Sequence, residues 1–230
     1  MPVAFHPLQI RELRPETPDA VSIAFTVPTE LADRYRFDPG QHLTLRTKLA
    51  DGEVRRSYSI CSGMDDGDLR VVIKRQDAGL FSNWAHETLK PGDTIEVMTP
   101  QGRFGIRPDP SGSRNYLAIA AGSGITPIMS ILRSVLAREP NSRFVLLYGN
   151  RNARSIIFKR ELESLKDRCL GRLSIHHVLS RERQELELFN GRIDAAKIEC
   201  CRRRAAHPLA RAAERFEYDK LRLAKPGRRQ

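Results

Sequence analysis

The sequence changes character once, and that change limits the fold more than any other feature. As far as about residue 108 it is a series of strand-like segments broken by turns. These are FHPLQIRELRP, AVSIAFTVP, QHLTLRTKL, RRSYSICS, DLRVVIKR and DTIEVMTP, punctuated by Pro39-Gly40, Asp51-Gly52, Asp66-Gly67 and Pro91-Gly92. Such runs bounded by turn dipeptides mark strands. Six of them with one short helix, over FSNWAHETLK, predict a small antiparallel β-barrel. Beyond RPDPSGSR, Arg107 to Arg114, the order becomes apolar strand, helix, strand, helix, strand: NYLAIAAG, SGITPIMSILRSVLAREP, RFVLLYG, SIIFKRELESLKDR and LSIHHVLS. Continuous apolar strands alternating with helices predict an α/β domain with a parallel sheet covered on both faces. The expected organisation is residues 1–110, residues 111–199 and a tail, 200–230, that fits neither pattern. Three strands make a small sheet, so the second domain reads as incomplete.

Charge narrows the function. The 230 residues carry a formal net charge of +11, which on its own would suggest nucleic acid or an anionic surface. The distribution argues otherwise. From Cys200 to Gln230 there are ten Lys or Arg and three Asp or Glu, so +7 of the excess lies in one terminal segment and +4 in the preceding 199 residues. Neither nucleic acid nor a membrane is expected as a partner. No run approaches 18 consecutive apolar residues, and the N-terminus has no basic segment leading into an apolar one. The four cysteines, Cys61, Cys169, Cys200 and Cys201, have neither disulfide-framework nor zinc spacing. A reducing cytoplasm is the expected compartment, with no metal site.

Two short stretches carry chemistry. RRSYSICS places a guanidinium, an aromatic face and a hydroxyl within four residues, at Arg56, Tyr58 and Ser59. An arginine suits a phosphate and a tyrosine face suits a flat ring, so the ligand asked for is both aromatic and phosphorylated. A strand with solvent-facing arginines and a half-buried tyrosine accounts for the same letters. GSGITP, Gly122 to Pro127, follows an apolar strand and opens a helix, where free N–H groups and the helix dipole can receive a phosphate. A short turn with Pro127 in the first helical turn is its plainer reading. His176 and His177 sit in an apolar strand whose alternation sends one inward and one outward. No Ser–His–acid or paired-carboxylate set is visible.

Further signals stand in order along the chain: RSYS at 56–59, VVIKR at 71–75, GLFSNW at 79–84, QGRFG at 101–105, GSGITP at 122–127, YGNR at 148–151, SRE at 180–182 and NGRI at 190–193. With these motifs, from about Pro7 to Lys197, the chain resembles the flavin reductase domains of the ferredoxin–NADP reductase superfamily. Within it, the chain is most similar to the reductase subunits of phenylacetyl-CoA epoxidase and related ring oxygenases. The resemblance implies an FAD-binding barrel followed by an NADP-binding α/β domain, with NADPH as hydride donor and NADH possible. It implies electron delivery to an oxygenase component or other acceptor, in phenylacetate or other aromatic catabolism.

Carried onto this sequence, the resemblance puts Arg56 on the flavin pyrophosphate, Tyr58 against the isoalloxazine and Ser59 near its N5 edge. Ile60, Val72 and Lys74 would line the flavin. Gly79, Leu80, Phe81 and Ser82 would supply a second phosphate contact, although Ser82 could equally cap the helix unaided. Gly122 and Gly124 would let the nicotinamide nucleotide approach, with Thr126 and Pro127 following at the flavin–nicotinamide region. Tyr58, Ser59 and Thr126 are thus the expected catalytic residues. Ser180 and Arg181 would meet the adenosine 2′-phosphate, with Arg151 or Arg183 in support.

The chain also departs from those relatives. They continue past NGRI into another apolar strand ending in Cys-Gly-Pro, and then into a plant-type 2Fe-2S domain with C-x₄-C-x₂-C spacing. Neither occurs here, and adjacent Cys200 and Cys201 cannot reproduce that cluster site. The expectation is a truncated or frame-shifted C-terminus. A flavin-binding protein with little or no reductase activity is therefore the second reading.

Overall fold

The computed structural model describes residues 4–49 and 52–206, the side chains as far as residue 202. The chain divides into two compact units: residues as far as Arg107 together with Thr126–Ser134, and Pro108–Ile125 together with the residues from Val135 onward.

Six strands build the first unit: β1 (Phe5–Thr17), β2 (Ala20–Thr26), β3 (His42–Leu49), β4 (Gly52–Ser59), β5 (Leu69–Lys74) and β6 (Thr94–Met98). All pair antiparallel, in the order β4-β3-β6-β1-β2-β5. The two outer strands then meet. Ile60 bridges Val71, and the Cys61 N–H donates to the Arg70 carbonyl at 2.9 Å. Closure removes the open edges that a flat sheet would expose. The interior is aliphatic, with Leu8, Ile10, Ile23, Leu43, Leu45, Ile73 and Val97 each at most 1% exposed. At 13 residues β1 is longer than the sequence suggested, and register shifts at Ile10/Glu12 and Pro15/Thr17 bend it around this core. One short helix, α1 (Leu80–Thr88), follows β5 and buries Phe81 and Ala85 against the barrel.

In the second unit three strands run parallel in the order β7-β8-β9: β7 (Asn115–Ala121), β8 (Arg143–Asn150) and β9 (Leu173–Leu179). Helix α2 (Ile125–Arg138) connects β7 to β8 and is buried on nearly every side. Helix α3 (Lys159–Arg168) connects β8 to β9. It starts four residues later than its sequence suggests. Ile156, Ile157 and Phe158 are all buried, and Phe158 takes a left-handed φ of 62° to turn the chain into the helix. A buried carboxylate ties the entry of this unit together. Glu139 accepts from both the Tyr116 hydroxyl (3.0 Å) and the Asp109 N–H (2.9 Å), and Ser142 donates at 2.5 Å. Burial, ahead of its neighbours, pushes the Tyr116 phenol up to about 12.

A fourth helix, α4 (Ala195–Ala206), had no counterpart in the sequence pattern, and residue 200 falls inside it. Its Cys201 is 1% exposed and packs with Val145, Leu147 and Val178. Beyond residue 206 the basic tail lies outside the described residues. Among the described residues no helix is long and apolar enough to cross a membrane.

Candidate functional site

The end of β4 separates its arginines by what they touch. Arg55 pairs with Glu53 at 2.6 Å, and Arg46 on the neighbouring strand pairs with Glu96 at 2.6 Å. Arg56 is exposed and, among the described residues, donates only to the Arg55 carbonyl, at 2.7 Å. No carboxylate among the described residues lies within ion-pair distance of it. A cation left unpaired beside paired ones is available to an anionic ligand. Two residues on, Tyr58 is half-buried with its ring centroid 5.8 Å from that of Phe81, which in turn meets Trp84 edge-on at 5.4 Å. Burial raises the Tyr58 phenol and Arg56 pulls the other way, the first effect being larger. Ser59 closes the strand, half-buried.

Phe81 belongs to α1, so the aromatic contact brings the start of that helix to the end of β4. The first bond of the helix runs from the Asn83 N–H to the Gly79 carbonyl at 3.0 Å, so the N–H groups of Leu80, Phe81 and Ser82 precede it. Gly79 has no room for a side chain: a Cβ would lie 2.5 Å from the Ser82 Oγ and 2.9 Å from the Gln76 Cβ. The Ser82 hydroxyl is engaged in this turn, accepting from the Gln76 N–H at 3.1 Å and donating to the Gly79 carbonyl at 3.3 Å. It does not act as the helix cap; Gly79 holds that position. The backbone N–H groups, more than the Ser82 hydroxyl, are what this turn can offer a phosphate.

Three other residues expected around the flavin are buried or already paired. Ile60 is fully buried in the barrel core and its N–H donates to the Gln41 carbonyl at 2.9 Å. Val72 is also buried. The Lys74 ammonium, at the end of β5, pairs at 3.3 Å with Asp19, the residue before β2.

In the second unit the turn after β7 is a short 3-10 segment, Gly122–Gly124, leading into α2. Gly122 has a left-handed φ of 52°, and a Cβ there would meet nothing within 4 Å. The turn thus needs glycine for its backbone and has open space beside it, which permits close approach by a ligand. Thr126 and Pro127 are buried in the first turn of α2, where a missing proline N–H leaves no bond unmade. Asn150, the last residue of β8, is 8% exposed, with its amide beside the Tyr148 hydroxyl.

Beyond β9 lies a pocket of about 350 Å³ lined by Ser180, Arg181, Glu182, Arg183, Glu187 and Asn190, among others. Neither Arg181 nor Arg183 pairs with a carboxylate among the described residues, and Arg151 is likewise exposed and unpaired. Glu182 is occupied by the Ala153 N–H at 2.8 Å. Asn190 accepts from the Gln184 N–H at 2.8 Å and donates to Glu187 at 3.2 Å, which holds the far wall. The unpaired cations in this concave place suit a phosphate group. Sequence reasoning pointed to Ser180, Arg181 and Arg183 but missed the acidic side of the pocket. The SRE and NGRI motifs carry two of the other lining residues, Glu182 and Asn190, without a role. His176 stacks on Phe189 with ring centroids 5.4 Å apart, and His177 sits 5.8 Å from the Tyr148 ring. Neither reaches the pocket lining.

Two families of known proteins match the chain, one after the other. The oxidoreductase FAD-binding domain family matches residues 7–106, and the oxidoreductase NAD-binding domain family matches residues 118–209. A 1,2-phenylacetyl-CoA epoxidase subunit from Escherichia coli (strain K12) is 45% identical over 195 residues, 85% of this chain and 55% of that protein. The ferredoxin reductase component of 3-ketosteroid-9-alpha-monooxygenase from Rhodococcus rhodochrous is 41% identical over 166 residues, 71% of this chain and 46% of that one. The chain spans about half the length of these curated relatives. Among solved structures, a ferredoxin NADP+ reductase from Neisseria gonorrhoeae with bound FAD and NADP superposes with a TM-score of 0.71 at 22% identity, covering 88% of this chain and 79% of that one. This last is a likeness of fold.

Proposed function

Since the chain belongs to the oxidoreductases that join an FAD-binding domain to an NAD-binding domain, we propose that it binds FAD and accepts a hydride from NADPH. In this reading it passes the electrons to an oxygenase component or another redox partner, in phenylacetate or other aromatic catabolism. The observation that carries the reading is the conjunction at the end of β4: Arg56 without a carboxylate, two residues from the half-buried face of Tyr58, with the start of α1 beside it through Phe81. A ligand with an anionic arm and a flat ring uses all three.

FAD, when bound, supplies the ring that takes up the hydride and can release its electrons one at a time. The protein's part is to bind, orient and exclude water. Arg56 holds a pyrophosphate oxygen by a charge-assisted bond, and the N–H groups of Leu80, Phe81 and Ser82 receive another. Tyr58 covers one ring face, and Ser59 offers a hydroxyl at the ring edge. On the nucleotide side Gly122 and Gly124 admit the dinucleotide backbone, Thr126 orients the nicotinamide end, and Ser180 with Arg181 holds the 2′-phosphate, Arg151 and Arg183 adding charge. Hydride transfer needs no acid or base on the protein; it needs the reacting atoms held about 3–3.5 Å apart.

The test is a visible spectrum of the purified 230-residue chain, followed by anaerobic addition of NADPH. Retained or reconstituted FAD that bleaches on NADPH addition supports the proposal. A chain that stays colourless in excess FAD overturns it. The second reading, a flavin-binding protein with weak nucleotide use, is favoured by the sheet order: β7 is an outer strand, paired only with β8 among the described residues. FAD uptake without bleaching would select that reading.

A further inference from the structure

The loop between β4 and β5 is clamped at its base and bound to a helix at its tip. At the base, the Cys61 N–H and Sγ–H both donate to the Arg70 carbonyl, at 2.9 and 3.3 Å. The Arg70 N–H donates back to the buried Ser62 hydroxyl at 3.3 Å, and its guanidinium pairs with Asp68 at 2.8 Å. At the tip, the Gly63 N–H donates to the Asp66 carboxylate at 2.6 Å and the Asp66 N–H to the Gly63 carbonyl at 3.2 Å, closing a tight turn. This turn meets α2. The Met64 N–H donates to the Ser134 hydroxyl at 3.0 Å, and Asp66 forms an ion pair with the Arg133 guanidinium at 2.7 Å. Gly63 permits the approach, since a Cβ there would lie 3.1 Å from the Arg133 Cβ. The loop and the helix segment Thr126–Ser134 both belong to the first unit.

These contacts specify a position more than they add stability. Both partners of the Arg133–Asp66 pair are about a quarter exposed, and pairs in contact with water contribute little net stability. Apolar packing of Met129, Ile131 and Leu132, all fully buried, holds α2 down without direction. The bond to Ser134 is directional, and so chooses one register. Ser134 is 1% exposed and spends its own proton on the Ser130 carbonyl at 2.8 Å, which leaves its oxygen to accept from Met64. Thr126 stands eight residues before Ser134 on the same helix, about 12 Å along the axis. Ser59 stands five residues before Met64, with Ile60 and Cys61 between them pinned to β5. A stiff connection therefore runs from Ser59 through the loop tip and α2 to Thr126. We infer that Ser134 and Arg133 are positioning residues for hydride transfer: by gripping this loop they fix where Thr126 stands relative to Ser59. The inference rests on the hydride-transfer reading above, in which a misplacement of about 1 Å costs on the order of 10²-fold in rate.

Three variants of the full chain test it. Arg133→Met removes the charge and keeps a long stem, Arg133→Lys keeps the charge, and Ser134→Ala removes the acceptor for Met64. Anaerobic stopped-flow reduction of bound FAD by NADPH gives a limiting rate and a half-saturating concentration. Arg133→Met and Ser134→Ala should each lower the limiting rate about tenfold. The half-saturating concentration and FAD uptake should stay within about twofold of wild type. Arg133→Lys should recover most of the rate. The long-wavelength absorbance of stacked flavin and nicotinamide rings should weaken in both slow variants. Without any ligand, amide hydrogen exchange at Met64 should quicken in Ser134→Ala. Wild-type rates in both Arg133→Met and Ser134→Ala overturn the inference and leave the hydride-transfer reading intact. So does a slower rate accompanied by lost FAD uptake, which would make the contacts merely structural. A wild-type chain that takes up FAD but is not reduced by NADPH overturns both.

Discussion

The Tyr148 hydroxyl donates to the Gly122 carbonyl at 3.0 Å, linking a fully buried ring of the central strand to the glycine turn after β7. Burial raises this phenol well above its ordinary range, so it remains a donor at any working pH. Gly122 and Gly124 are half-exposed and Gly122 is left-handed, and this bond ties the turn to the strand beneath. Tyr148→Phe should cost about 1 kcal/mol in urea unfolding. ADP-ribose binding should fall by a few-fold, because the turn is no longer pre-set. Unchanged affinity at lowered stability would limit Tyr148 to a packing role.

Arg56→Ala and Tyr58→Ala should both weaken FAD retention, by about tenfold each, for different reasons. The first removes a charge-assisted contact that salt screens; the second removes aromatic contact that salt leaves alone. FAD titrations at low and high salt should show the Arg56 effect shrinking while the Tyr58 effect persists. Negligible effects for both would remove β4 from the flavin site.

Arg181→Ala should lower kcat/KM with NADPH more than with NADH, since only NADPH carries the 2′-phosphate. A shift of about tenfold in the ratio is expected for loss of one charge-assisted contact. If the chain turns over too slowly, affinities for 2′-AMP and 5′-AMP give the same comparison. An unchanged ratio would assign the pocket arginines to something other than nucleotide choice.

Burial lowers the pKa of both His177 and His42 below the ordinary value of 6.5. A histidine that resists protonation when folded but not when unfolded stabilises the protein fully above pH 6.5. That stability is lost as pH falls from 6.5 through the depressed folded value. Unfolding free energy measured in urea should therefore be flat near pH 7–8 and decline below pH 6.5. His177→Phe should make the decline shallower, His42 accounting for part of the remainder. An identical slope in the variant would show that His177 protonates equally in both states.

The strands were legible because turn dipeptides and apolar runs are local signals. All nine were found, although β1 runs two residues further and β4 begins three residues earlier than the pattern put them. The sheets are antiparallel and parallel as expected. Arg56, Tyr58 and Ser59 were legible for the same reason: they are near neighbours on one strand, and their chemistry can be read without knowing what lies opposite. Tertiary pairing decided what no local pattern carries. Strand order buried Val72 and Ile60 and set Lys74 beside Asp19. It buried Cys201 among Val145, Leu147 and Val178, so a residue weighed for its redox chemistry proved to be part of a helix packed on the sheet. Side-chain type alone marks a group as polar or apolar; whether a polar group is satisfied depends on which atoms the fold brings within about 3 Å of it. Asn150 was one letter of YGNR in the sequence. Its place beside the Tyr148 hydroxyl, at the C-terminal end of the middle strand, was set only by the pairing of β7, β8 and β9.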